Sequence, residues 1–247
     1  MLKGFNIDRL TSPQSVYPLA GRMIPWFWAL AALFGIAGLA VGFLIAPADA
    51  QQGEGYRIIF LHVPASWLSM FIYLAMAFWA GLGLAFNARL PAMMAQALAP
   101  TGALFAFLSL WTGALWGKPM WGTWWVWDAR LTSELILLFL YIGFIALQAA
   151  IDDPHRADRA GAILALAGVV NIPIIYFSVK WWNTLHQGAT INLQKSSLAG
   201  VMFTGILLRA LACWMYSLAV ALMRVRRLML EREPHAPWVR EMLECDL

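Results

Sequence analysis

Charged residues are scarce in this sequence. Asp, Glu, Lys and Arg make up 12% of the 247 residues, whereas soluble domains carry about 25%. Hydrophobic residues make up 62%, and the mean hydropathy is +0.68. This balance excludes an ordinary soluble domain and predicts a membrane protein, because long apolar runs cross a bilayer as helices.

Cysteine is scarce too, with only Cys213 and Cys245. The absence of a CxxC pair argues against thiol redox chemistry and against a structural zinc site. The formal net charge is +4, but it does not indicate a nucleic-acid partner. The basic residues lie in short segments between apolar runs, where they set the orientation of a membrane protein.

Six apolar runs predict an all-α polytopic protein, with six transmembrane helices forming a single domain over residues 1–247. The runs are 24–45, 58–86, 97–116, 131–151, 160–179 and 198–223. The sequence APADA at 46–50 resembles a signal-peptidase site. The run before it is longer than the roughly 7–15 apolar residues of a signal peptide, which favours a retained first helix.

The distribution of basic residues predicts the orientation. Six helices with short loops place both termini on one side of the membrane. The termini and the connections on that side hold eleven of the 17 Lys and Arg residues, and the opposite connections hold five. The positive-inside rule makes the first side cytoplasmic. We therefore expect the connection between the third and fourth helices to face outward.

Tryptophan is abundant, and six of the 14 Trp residues lie between positions 111 and 127. An aromatic belt at the bilayer surface explains one or two rings per helix end, which is fewer than this segment holds. Residues 117–131 form the predicted outward connection and also carry Gly, Pro, Lys, Asp and Arg. Such an aromatic surface beside fixed charges suits a flat, apolar, anionic ligand.

The conformation of this segment decides how its rings are presented. If it is helical, one face is shared by Trp121, Trp124, Trp125 and Asp128. Such an element would lie on the membrane surface, where it could stack against a planar ligand.

Two histidines are predicted at the same level as the Trp-rich segment. His62 is placed at the start of the second helix, and His186 lies in the loop before the sixth. Either one alone is explained as a hydrogen-bonded interfacial residue. Together they favour a pair of metal ligands, since neutral imidazole is the commonest side-chain ligand. His155 and His235 fall on the predicted cytoplasmic side and are interpreted as solvated.

Four outward basic residues accompany the platform: Arg57, Lys118, Arg130 and Lys180. Their charges suit the carboxylates of a planar ligand. Anionic lipid head groups would suit them equally well. Asp128 has an alternative role too, because pairing with Arg130 or Lys118 would fix the loop.

The sequence WGTWWVWDARLT at 121–132 resembles the WWD signature of membrane proteins that handle heme. Six helices, a short chain and the run YFSVKWWNTLHQ at 176–187 are similar to the CcmC type of cytochrome c maturation. The resemblance implies a transfer protein without enzymatic activity. It would bind heme b at the periplasmic face of a bacterial inner membrane and present it to a CcmE-like heme chaperone.

The resemblance also implies the site and the partners. His62 and His186 would be the axial ligands of the heme iron. The macrocycle would be held by Trp121, Trp124, Trp125, Trp127, Asp128, Arg130 and Arg57. Besides membrane lipid, the implied partners are a CcmA/CcmB-like ABC transporter and a small CcmD-like subunit.

Two other classes of function remain open at this point. One is a b-type cytochrome that passes electrons between quinone and an acceptor. Such proteins bury their heme between helices, whereas His62 and His186 are predicted at loop level. The other is an ABC-permease-like scaffold that needs no cofactor.

Overall fold

The computed structural model describes residues 12–182, 184 and 198–245, and these residues contain helices but no β-strand. The α-helices are α1 Pro13–Ala40, α2 Ile59–Phe86, α3 Arg89–Trp121, α4 Ala129–Ala150, α5 Pro154–Gly168, α6 Asn171–Trp181, α7 Gly200–Arg232 and α8 Pro237–Cys245. A π-helical turn continues α1, and a 3-10 turn leads into α2. Six segments are long and apolar enough to cross a membrane, with α5 and α6 together forming one of them. The all-α, six-span prediction is confirmed.

The start of α1 and the end of α7 lie at the same end of the bundle. The ring of Tyr17 packs against Trp238 with centroids 5.6 Å apart. The guanidinium of Arg226 lies 4.1 Å from the centroid of the same Tyr17 ring. An even number of spans requires this arrangement, and it leaves the Trp-rich connection between α3 and α4 at the opposite end.

Three apolar clusters fill the bundle along its length. The middle cluster is built around Tyr73, Leu137 and Tyr141. The cluster at the Trp-rich end contains Tyr56, Phe60 and Trp116, and the one at the other end contains Met93, Val225 and Met229. α1 contributes little to this core, because only 11% of the residues in its most apolar stretch are buried.

The fifth span is not one helix. The span predicted over 160–179 is confirmed, and within it the chain turns at Val169 and Val170 between α5 and α6. Pro173 has no N–H to donate to the carbonyl of Val169, which weakens a helix at this point. Asn171 stabilises the break, since its Nδ2 donates to the carbonyl of Ser133 on α4 at 2.9 Å.

We predict that Asn171→Ala destabilises the protein by about 1 kcal/mol, the usual range for an interhelical hydrogen bond in a membrane protein. The measurement is unfolding in mixed micelles of increasing SDS fraction. The control is Thr204→Val, because the exposed Thr204 hydroxyl bonds only within its own helix, at 3.0 Å from the Gly200 carbonyl. Equal stability of the two variants would contradict the anchoring role of Asn171.

Candidate ligand-binding site

Residues 122–128 connect α3 to α4 without forming a helix. α3 stops because Gly122 adopts a left-handed conformation with φ +79°, which glycine tolerates without steric cost. α4 starts where Asp128 Oδ1 accepts the N–H of Leu131 at 2.8 Å, a normal helix N-cap. The condition under which Trp121, Trp124, Trp125 and Asp128 would share a helical face is therefore not met.

A cavity of about 730 Å³, partly open to solvent, lies beneath this connection. Its walls come from the first turns of α2, the second half of α3 and the first turns of α4. The predicted residues that line it are His62, Trp121, Trp124, Trp125 and Arg130. The structure thus brings five of the predicted site residues to one place.

The other predicted residues lie elsewhere. Trp127 is 78% exposed, and its ring packs edge-on against Trp125 with centroids 5.3 Å apart. The second carboxylate oxygen of Asp128 accepts a hydrogen bond from the hydroxyl of Thr184. His186 lies outside the described residues.

Arg57 does not line the cavity. It bonds instead to residues where the first span ends and the second begins. Its Nη1 donates to the carbonyls of Gly42 at 2.6 Å and Ala46 at 3.0 Å. Its Nε forms an ion pair with Glu54. Arg57 therefore holds the end of the first span against the start of the second, close to the site but outside it.

His62 is fixed in one orientation by α3. Its Nδ1 lies 3.0 Å from the hydroxyl oxygen of Thr112. That hydroxyl donates to the carbonyl of Leu108 at 2.6 Å, which favours its oxygen as the acceptor towards His62. This pairing favours the tautomer in which Nδ1 carries the proton and Nε2 keeps a lone pair, the form of imidazole that ligates a metal. Gly113 allows this approach, because a Cβ there would lie 3.2 Å from His62 Cε1.

Arg130 joins three helices at the wall of the cavity. Its Nη1 donates to the carbonyl of Ile175 on α6 at 2.7 Å, and its Nη2 donates to the hydroxyl of Ser66 on α2 at 3.1 Å. One turn further along α4, Glu134 is buried in the same wall and accepts from Ser69 at 2.8 Å. The cavity therefore holds a cation and a carboxylate one helical turn apart.

Two buried polar atoms of the lining residues have no hydrogen-bond partner in the described part of the chain: Nε1 of Trp125 and Oε2 of Glu134. Leaving a buried donor or acceptor unpaired costs about 1–3 kcal/mol. A ligand with an acceptor group would pair the indole N–H. The atoms thus favour a polar ligand edge inside a mostly aromatic cavity.

Sequence reasoning missed several polar residues of this site, among them Ser66, Thr112 and Glu134. Ser66 and Thr112 lie in apolar runs that carry no local motif, so only packing reveals their roles. Glu134 offered a signal, because it is an acidic residue in an apolar run, one turn after Arg130.

Comparison with known proteins identifies the family. A family model described as "CcmC: Heme exporter protein C" matches residues 6–240. The chain belongs to this family. A relative from Escherichia coli (strain K12), named Heme exporter protein C, is 49% identical over 244 residues, covering 96% of each chain. The family inferred from the WWD signature is confirmed.

Two further relatives are similar over much of the chain. The protein of that name from Haemophilus influenzae is 44% identical over 233 residues, covering 94% of this chain and 95% of its own. A Marchantia polymorpha protein, named putative cytochrome c biosynthesis ccmC-like mitochondrial protein, is 48% identical over 170 residues. That match covers 69% of this chain and 70% of the relative.

We predict that Thr112→Val shifts the tautomer of His62, because Nδ1–H loses its acceptor while the side-chain volume is kept. Nitrogen NMR of labelled histidine measures the two ring shifts directly. Thr112→Ser is the matched control, since it keeps the hydroxyl, and its His62 shifts should equal those of the original protein. Unchanged shifts in the valine variant would show that Thr112 does not set the tautomer.

Proposed function

We propose that the protein binds heme b in the Trp-rich cavity and hands it to a CcmE-like heme chaperone during maturation of c-type cytochromes. The names of the family and of its relatives concern heme export and cytochrome c biosynthesis. The observation that carries the proposal is the cavity itself. It combines an oriented imidazole, several indoles and a guanidinium in one mostly apolar space.

The lining residues fit heme as cargo. Nε2 of His62 keeps its lone pair and would ligate the iron. The indoles of Trp121 and Trp124 offer flat apolar surface to the macrocycle. Arg130 supplies positive charge for a propionate, and the unpaired N–H of Trp125 supplies a hydrogen-bond donor.

We propose His186 as the second axial ligand. Its support is its position in the sequence, two residues after Thr184, whose hydroxyl donates to Asp128 of the WWD segment. In this proposal Asp128 and Trp127 shape the segment around the heme. Arg57 keeps the first two spans together beside it.

The mouth of the cavity suits a hand-over rather than permanent burial. Trp124 lines the cavity, yet 54% of its surface is exposed. A b-type cytochrome that passes electrons to quinone holds its heme between helices, whereas this cavity opens at the end of the bundle. An exposed heme edge beside exposed indoles gives a chaperone both its cargo and an apolar contact surface.

We place this end of the bundle in the periplasm and the protein in the bacterial inner membrane. The support is the excess of Lys and Arg at the opposite end, which the positive-inside rule assigns to the cytoplasm. The proposed partners there and in the membrane are a CcmA/CcmB-like ABC transporter and a small CcmD-like subunit. The protein itself acts by binding and transfer, without catalysis.

We predict that His62→Ala and His186→Ala each abolish the absorption and magnetic-circular-dichroism signature of a bis-histidine low-spin heme. Loss of an iron ligand should weaken heme binding by at least about tenfold. His155→Ala is the control, because His155 is exposed at the other end of the bundle. A Soret band that stays unchanged in both ligand variants would rule out the assignment.

We predict that Trp125→Phe weakens heme binding by about tenfold, the worth of a hydrogen bond to a charged group. An aromatic ring remains, and the change removes the indole N–H together with the five-membered ring that carries it. Titration of purified protein with hemin measures the affinity. Trp26→Phe is the matched control, since Trp26 is 73% exposed on α1 and lies outside the cavity lining, and an equal loss there would show that the Trp125 N–H has no special role.

The hand-over itself is tested by trapping heme on the purified protein with and without the soluble domain of the chaperone. Heme should leave the protein and appear covalently on the chaperone. Retention of all heme on the protein, with an active chaperone, would contradict the transfer function but not heme binding.

A further inference from the structure

A second and larger cleft lies at the end of the bundle opposite the Trp-rich cavity. It encloses about 1,600 Å³, part of it open to solvent. The end of α2, the start of α3, the end of α4, the start of α5 and the last turn of α7 form its walls. The heme cavity uses none of the residues that line this cleft.

The rim of the cleft carries unbalanced positive charge. Arg89, Arg156 and Arg159 line it and are exposed, and none of them forms an ion pair with another residue that the structure describes. The acidic residue in the lining is Asp158, which is already bound by both terminal nitrogens of Arg232, at 2.7 and 2.9 Å. The guanidinium groups of Arg89, Arg156 and Arg159 are therefore available to pair with a bound anion.

The same ion pair makes the floor of the cleft rigid. Nη2 of Arg232 also donates to the side-chain oxygens of Gln96 on α3, at 2.9 Å, and Gln148 on α4, at 3.4 Å. Nε2 of Gln148 in turn donates to the carbonyl of Ala157 on α5 at 3.1 Å. Four helices are tied together there, so the basic rim stands on a fixed base.

Nearby acids do not cancel the rim charge. Asp152 and Asp153 are exposed at the α4–α5 turn but lie outside the cleft lining. Asp153 is occupied as the N-cap of α5, where it accepts the backbone N–H of Arg156 at 2.7 Å. The guanidinium of Arg156 remains unpaired in the described structure.

Below the rim, the wall is apolar, and its exposed part lies at Leu84, whereas Ala80 and Phe144 are buried. Ala80, Leu84 and Phe144 line the cleft, and Phe86 next to it is 75% exposed. α2 has 28 residues and is therefore about 42 Å long, which matches a bilayer including its head-group layers. The end of α2 thus reaches head-group depth, where a charged rim and an apolar wall meet.

We propose that this cleft binds an anionic phospholipid of the surrounding bilayer. Its phosphate pairs with Arg89, Arg156 and Arg159, because guanidinium forks match phosphate oxygens. An acyl chain follows the exposed apolar side of the cleft at Leu84 and Phe86. Basic pockets between transmembrane helices on the cytoplasmic side bind anionic head groups in this way, and the excess of Lys and Arg predicts the cytoplasm for this end.

The consequence is that the lipid adds a link between the α2–α3 turn and the first turns of α5. Arg89 opens α3 two residues after Asn87, which ends α2 in a left-handed conformation with φ 49°. Arg156 and Arg159 belong to the first turns of α5. A phosphate shared by these residues ties the α2–α3 turn to α5, so the stability of this end depends on anionic lipid.

The test is native mass spectrometry of the full-length protein in neutral detergent, titrated with phosphatidylglycerol or with phosphatidylcholine. Phosphatidylglycerol should bind more tightly, and Arg156→Gln/Arg159→Gln should weaken it by about thirty-fold, at about fivefold per charge. The matched control is Arg22→Gln/Arg240→Gln, which removes two exposed arginines at the same end but outside the cleft. This control should bind phosphatidylglycerol as the original protein does.

Three outcomes would overturn the proposal. Equal weakening in both double variants would mean general attraction to a basic surface. Displacement of the lipid by millimolar inorganic phosphate would indicate a site for soluble phosphates. Displacement by hemin would indicate a porphyrin site. Arg89→Gln is a second test that remains informative if the double variant misfolds. This single change should weaken the binding of phosphatidylglycerol by about fivefold, while thermal unfolding in phosphatidylcholine stays unchanged.

Discussion

The guanidinium of Arg130 is the contact on which the Trp-rich end depends. It lies at the start of α4 and bonds to the Ile175 carbonyl of α6 and the Ser66 hydroxyl of α2. A cation at the edge of the membrane needs such partners, because an unsatisfied charge there is costly. Ser66 and His62 are four residues apart and share a face of α2. Holding Ser66 against α4 therefore also holds the imidazole against the cavity.

The residues at the two ends of the WWD connection prevent a helix between them. The non-helical segment that results covers the cavity. Gly122 stops α3, and Asp128 starts α4. Between them, extended chain advances about 3.3 Å per residue instead of the 1.5 Å of a helix. The connection can thus span the gap between two helix ends and still place Trp124 and Trp125 over the cavity, which one turn of helix could not do.

Local sequence predicted the six spans, the family and five of the residues that share the cavity, because hydropathy and the WWD signature are local patterns. Partners distant in sequence could not be predicted in this way. Thr112 lies 50 positions from His62, and Ser69 lies 65 from Glu134, so their contacts depend on helix packing. The Trp segment is not helical, because the caps at Gly122 and Asp128 outweigh the i, i+3, i+4 spacing of its side chains.

The packed middle of the bundle limits how cargo can reach the outer cavity. Tyr73 and Tyr141 are fully buried between the cavity and the basic cleft, and their rings meet edge-on at 5.1 Å. The hydroxyl of Tyr141 also donates to the carbonyl of Ser69 at 2.7 Å, which ties α4 to α2. A planar macrocycle could pass along the bundle axis only by separating these helices and breaking that bond. Entry from the side, through lipid or a partner subunit, needs neither step, so the packing favours a lateral route to the cavity.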